Sequence, residues 1–137
     1  MSEMSQEKRI LSDSHTVAIV GASPDVERPS YRVFSYLRDQ GYRVIPVNPR
    51  FPQILGETCY ADLAAIPEKV DVVDIFRRAE DVPPVVDQAI AIGAKVVWMQ
   101  LGVINEAAAS RAREAGLLVV MDKCMRKEHL KMRGIQE

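Results

Sequence analysis

Apolar positions along this chain fall into five short, nearly unbroken runs, and between the runs they respace to the three-and-four rhythm of helices. The first run, Thr16–Val20, breaks at Gly21. Pro29 then suits a first helical turn and Ser30 a helix cap. Ser30, Val33, Phe34 and Leu37 share one face of a helix expected over 30–40, with Gly41 as its stop. The second run, Arg43–Val47, leaves through Pro46-Val-Asn-Pro49, where two prolines withhold ladder donors and force an extended exit. A loop containing Gly56 and a short helical turn near 61–65 lead to the third run, over 70–76. It is nearly all apolar, as a strand buried on both faces of a parallel sheet should be. Asp74 is the exception, and backbone or arginine partners are expected for it, because an unpaired buried carboxylate is costly. The fourth and fifth runs cover 95–99 and 117–121. Helices are predicted over 82–92, with Pro83 and Pro84 in the first turn, over 104–115, with Asn105 as cap, and over 125–132. Gly93 and Gly116 close the first two, and a further short helix over 5–11 precedes the first strand.

Strands alternating with helices through short glycine-marked joints indicate an α/β domain, a doubly wound parallel sheet of about five strands with helices on both faces. Right-handed crossovers leave few strand orders, and the order expected here is 3-2-1-4-5 in order of appearance. Ligands of such sheets lie beyond the carboxyl ends of the strands, here at a switch between the first and fourth. The candidate site is therefore the set of strand exits at 21–24, 46–50, 76–78 and 100–103.

The first exit, Gly21, Ala22, Ser23 and Pro24, has the sharp turn and small residues of a phosphate cradle before a helix N-terminus, with Arg28 and Arg32 nearby as candidate counter-charges. It lacks the full dinucleotide fingerprint, because Ser23 and Val26 stand where glycines would follow Gly21. The second exit, Val47, Asn48, Pro49 and Arg50, offers no carboxylate to a ribose, which argues against an ordinary nicotinamide cofactor. An apolar shelf beside an arginine instead suits an adenine next to a phosphorylated ribose. Phe76, Arg77 and Arg78 form the third exit. At the fourth, Gln100 can hydrogen-bond an amide and Gly102 admits close approach.

A net charge of −1 supplies no global field toward nucleic acid or an anionic membrane, so an anion site must be local. No apolar stretch approaches the ~20 residues that cross a bilayer, and the polar N-terminus does not resemble a secretory signal. Cys59 and Cys124 are too few for a disulfide framework, and a cytoplasmic protein is expected. His15 lies at the wrong end of its strand to meet a ligand, and His129 is expected to be packed or solvated. Cys124 is expected to be a buried structural cysteine, with disulfide formation to a ligand thiol as the alternative. No metal-ligand spacing and no convincing catalytic constellation appear.

Taken together, these residues resemble the small CoA-binding proteins whose Rossmann-like fold matches the N-terminal domain of the succinyl-CoA synthetase α subunit. The matching words are Gly21-Ala-Ser23, Arg28-Pro-Ser30, Gly41-Tyr-Arg-Val-Ile-Pro-Val-Asn-Pro49, Ile66-Pro67, Val70-Asp71, Val73-Asp-Ile-Phe-Arg77, Gly93-Ala-Lys95, Trp98-Met-Gln100, Gly102-Val103 and Asp122-Lys-Cys124. They run in order over about 15–130. The resemblance implies a CoA-binding domain over 15–132, a polar extension or short helix over 1–14 and a tail over 133–137. It implies coenzyme A or acyl-CoA with its phosphates on 21–24, its adenosine along 47–50 beside Arg50, and its pantetheine arm passing 76–78 toward Gln100. The synthetases also use a phosphorylated histidine and further domains, and neither is expected in this chain. Non-catalytic binding of the cofactor is the expected function, with a homo-oligomer or protein partner left open. The alternatives are a subunit of an acyl-CoA ligase, a small NAD-using redox enzyme, and a regulatory protein whose partner surface responds to a nucleotide.

Overall fold

The computed structural model describes residues 5–135. Its central strand, β1 (Thr16–Val20), is buried at every position. Alternation sends Ala18 and Val20 into one apolar core and Val17 and Ile19 into another, so both faces of the sheet are covered. β1 pairs in parallel with β2 (Arg43–Val47) on one side and with β5 (Val72–Ile75) on the other. β6 (Val96–Met99) and β7 (Leu118–Val120) continue the parallel sheet beyond β5. Helices α1 (Gln6–Asp13), α2 (Pro29–Asp39) and α5 (Met125–Met132) contribute to one core, and α3 (Val82–Ala91) and α4 (Glu106–Glu114) to the other. The α/β class and the doubly wound parallel sheet are as expected.

The strand order is not. In order of appearance the strands lie 2-1-3-4-5, because β5 takes the free side of β1 and β2 stays at the edge. Pro46 explains the difference. A proline offers no N–H to a second neighbour, and within sheets it is confined to edges. Its carbonyl accepts from Tyr60 N at 3.1 Å, so a passing loop rather than a full strand covers that side of β2. The switch point accordingly falls between the first and third strands, not the first and fourth.

Smaller corrections have local causes. Residues 53–58 form a hairpin of β3 (Gln53–Ile54) and β4 (Glu57–Thr58), turned by Leu55 and Gly56 at φ 53° and 79°. A leucine in that conformation is uncommon, so the turn carries no sequence signal. Ser30 does not cap α2; it is buried inside the first turn, and the capping position is held by Arg28 without a side-chain bond. Asn105 does cap α4, accepting from Ala108 N at 2.9 Å. Three-residue 3-10 turns at Leu63–Ala65 and Ala79–Asp81 complete the crossovers.

Asp74 has no partner of the kind expected. It is fully buried on the face shared with Val72, between Ile19 and Trp98 of the neighbouring strands. Neither carboxyl oxygen has a hydrogen-bond partner among the described residues. Burial therefore pushes its pKa well above the ordinary 3.8, and the group is accommodated as the neutral acid. The folded chain keeps a proton that the unfolded chain releases. Asp74 is thus least costly below pH 3.8, and its cost grows as pH rises toward the folded-state pKa. In urea unfolding of the native protein and Asp74→Asn, the native protein should lose stability relative to the variant as pH rises above about 4, at up to about 1.4 kcal/mol per pH unit. Parallel pH profiles would show that Asp74 is ionised in the fold.

Candidate functional site

β1 and β5 diverge at their carboxyl ends, where the chain leaves at Gly21 and at Phe76. Gly21 has φ +87°, and a Cβ built on it would lie 2.2 Å from the Phe76 carbonyl oxygen, so only glycine fits. Its N–H donates to Val47 O at 3.0 Å, which ties the first exit to the second. Asn48 strengthens that tie. Its Nδ2 donates to Ala22 O at 2.9 Å and its Oδ1 accepts from Arg50 N at 2.9 Å. Its backbone N–H donates to Tyr60 O at 2.9 Å, and its carbonyl accepts from the Cys59 thiol at 3.4 Å. Asn48 is buried and both ends of its amide are bonded to the loops, so it shapes them. The loop itself is preformed: Ser23 Oγ accepts from Asp25 N and Asp25 Oδ1 from Glu27 N.

Around this switch point opens a cleft of about 1200 Å³. Of the residues expected at the site, Gly21, Ser23, Pro24, Arg28, Asn48, Pro49, Arg50, Phe76, Arg77, Arg78 and Gln100 line it. Ala22, Val47 and Gly102 do not. Ala22 is buried, and its contribution is the carbonyl held by Asn48. Val47 turns into the core beneath α3 and α4. Gly102 is exposed outside the cleft, with its N–H bound to Asp122 Oδ1 at 2.7 Å. Sequence reasoning left the exit of β7 out of the candidate site and weighed only Cys124 there, as an alternative contact for a ligand thiol; Cys124, Arg126 and Lys127 line the cleft wall. The signal was available, because those residues follow a fifth strand that ends on the same edge of the sheet as the other four.

The charges in the cleft are strongly biased. Arg28, Arg32, Arg50, Arg77, Arg78, Arg126 and Lys127 line it against Asp25, Glu27 and Asp81, seven basic residues to three acidic, in a chain whose net charge is −1. Arg78 is drawn to Glu80 and Asp81 at 3.4 and 3.3 Å, and Arg28 to Asp25 at 3.9 Å, all on exposed side chains. Arg32, Arg50 and Arg77 engage no described carboxylate. Gln100 is buried, and its Oε1 accepts from Met125 N at 3.3 Å. A backbone N–H can only donate, so this bond fixes the oxygen end on α5 and leaves Nε2 for the cleft.

Cys124 is half-buried on the cleft wall rather than locked in the core as expected. Cys59 is buried, and burial pushes its thiol up. His129 is packed, with Nδ1 2.7 Å from Tyr36 Oη, and burial with the nearby Arg133 lowers its pKa. His15 lies at the amino end of β1, where its N–H donates to Asp71, so neither histidine reaches the cleft. Among the described residues no helix is long and apolar enough to cross a membrane.

The model of the CoA binding domain family matches residues 15–130. The chain belongs to that family. It is 38% identical over 122 residues to the uncharacterized protein YneT of Bacillus subtilis, covering 89% of this chain and 90% of that protein. A hypothetical protein from Pyrococcus horikoshii superposes with a TM-score of 0.92 at 40% identity, over 98% of this chain and all of the other. An acetate–CoA ligase (ADP-forming) of Archaeoglobus fulgidus is 38% identical over 72 residues, which are 53% of this chain and 10% of the ligase. This CoA-binding domain is therefore related to acetyl-CoA synthetase subunits.

The tie between the first two exits is testable by stability. Asn48→Ala strands the Ala22 carbonyl and the Arg50 N–H, and should lower the unfolding free energy by roughly 2–4 kcal/mol in urea titration. A loss below about 0.5 kcal/mol would mean that the tie is dispensable.

Proposed function

We propose that this domain binds coenzyme A or acyl-CoA in the cleft and does not itself catalyse a reaction. Its phosphates lie on 21–24, against a preformed loop and the start of α2. The adenosine end lies along Pro49 beside Arg50, and the pantetheine arm runs past Phe76 to Gln100, whose open Nε2 donates to an amide carbonyl. The observation that carries this reading is the single cleft joining the exits of β1, β2, β5 and β6, with seven basic residues concentrated in a chain of net charge −1. The ligand bears about four negative charges, which arginines and oriented amides stabilise through charge-assisted hydrogen bonds. An exit from β2 without a carboxylate disfavours the free ribose of NAD.

Catalysis is disfavoured by what the cleft presents. No histidine lines it, and its acidic residues sit on the exposed rim, so a phosphohistidine relay would need residues from outside this domain. The ligase relationship gives that second reading its footing, because there the matched segment makes up 10% of a much longer protein. A cytoplasmic location accords with both readings.

Isothermal titration with CoA, NAD and ATP separates the possibilities. CoA should bind with Kd on the order of micromolar and NAD at least about tenfold more weakly. Arg50→Ala should weaken CoA by about tenfold or more, the loss of one charge-assisted contact. Tighter binding of NAD than of CoA would reject the proposal.

A further inference from the structure

The mechanism proposed above leaves Cys124 unused. Four bonds hold the residues on either side of it against the exit of β6. Lys123 N donates to Met99 O at 3.4 Å and Trp98 Nε1 to Lys123 O at 2.8 Å. Gly102 N donates to Asp122 Oδ1 and Met125 N to Gln100 Oε1. Asp122 adopts φ 60° to make the turn, a conformation that non-glycine residues seldom take. The thiol is thus fixed on the wall of the cleft, next in sequence to the residue that anchors Gln100.

Gln100 supplies an independent indication that a ligand reaches this point. Its side chain lines the same cleft at only 5% exposure, and its Nε2 has no partner among the described residues. The amide donor of a buried side chain, left open toward a cleft, is placed to meet an acceptor from a ligand.

We infer that Cys124 captures the thiol end of a pantetheine ligand as a mixed disulfide, by exchange with the ligand's disulfide form. The inference rests on the cleft being a CoA site. The Cys124 sulfur attacks one sulfur of the pantetheine disulfide. The ligand's S–S bond breaks and a bond from Cys124 to pantetheine forms. The second pantetheine leaves as a thiolate and takes up the proton that Cys124 gave up. One disulfide is consumed and one is made, so the step needs no other oxidant. Thioester transfer to Cys124 would instead call for a general base, and no histidine lines the cleft. Cys59 is buried and bonded to Asn48, so it cannot resolve the adduct, which should persist until a reductant arrives.

The test uses the full chain, reduced and freed of reductant, then incubated with CoA disulfide or with oxidised glutathione and followed by intact-mass spectrometry. One CoA adduct per chain is expected. Peptide mapping should place it on Cys124, dithiothreitol should remove it, and Cys124→Ser should not form it. The cleft holds the reacting sulfurs together, so labelling by CoA disulfide should outpace labelling by oxidised glutathione by about tenfold or more. Desulfo-CoA, which has no thiol, should slow it. Absence of the adduct, equal rates for the two disulfides, or labelling at Cys59 would overturn the inference. Calorimetry with desulfo-CoA separates the two failures. Binding without labelling refutes the capture of the thiol alone, whereas no binding, with labelling indifferent to the nucleotide, refutes the CoA site as well.

Discussion

Gly21 passes beneath the carbonyl of Phe76 with no room for a side chain, and the functional end of the molecule follows from that contact. The approach exists because β5 lies directly against β1. β5 can take that place because Pro46 keeps β2 at the sheet edge, where a missing N–H has no strand partner to disappoint. From this switch point the chain leaves β1 toward α2 and β5 toward α3, on opposite faces of the sheet. The divergence opens the cleft. A single proline thus determines where a ligand can enter, some distance from the ligand itself.

The strands were legible because each is buried on both faces, which demands apolar runs that no loop would carry. Helix ends were legible where the chemistry is local, as at Asn105 and Gly41. The strand order was misread although its signal was present. Pro46 was weighed as a chain exit, when a proline inside a strand also states which sheet position the strand can take. The hairpin at Leu55 and Gly56 carried no such signal, since leucine is a poor marker of a left-handed turn. Asp74 was assigned a partner on energetic grounds, and burial has instead been met by keeping its proton. Within the site, neighbours in sequence proved unequal: the alternation that exposes Asn48 to the loops turns Val47 into the opposite core.

The distribution of charge has the same local character. A chain that is nearly neutral overall concentrates basic residues where five strand exits converge, and Arg32, Arg50 and Arg77 stand there without carboxylate partners among the described residues. Guanidinium groups gathered this way repel one another, and nothing in the fold requires them to be close. An anion relieves the repulsion and receives planar, multiply donating contacts in return. The surface pairs of Arg78 and Arg28 are weak by comparison, because both partners remain in water.

Two amide side chains, Asn48 and Gln100, show how scaffold and recognition divide in such a cleft. Each is buried at a strand exit, and each has one end fixed by a backbone partner that admits a single orientation. Asn48 spends its other end on Ala22, so it joins two loops. Gln100 spends only its oxygen, on the first turn of α5, and its nitrogen remains open. The same residue chemistry therefore serves stability in one place and, in the proposed binding mode, recognition in the other. What decides between them is whether the second hydrogen-bonding group of the amide meets the protein or the cleft.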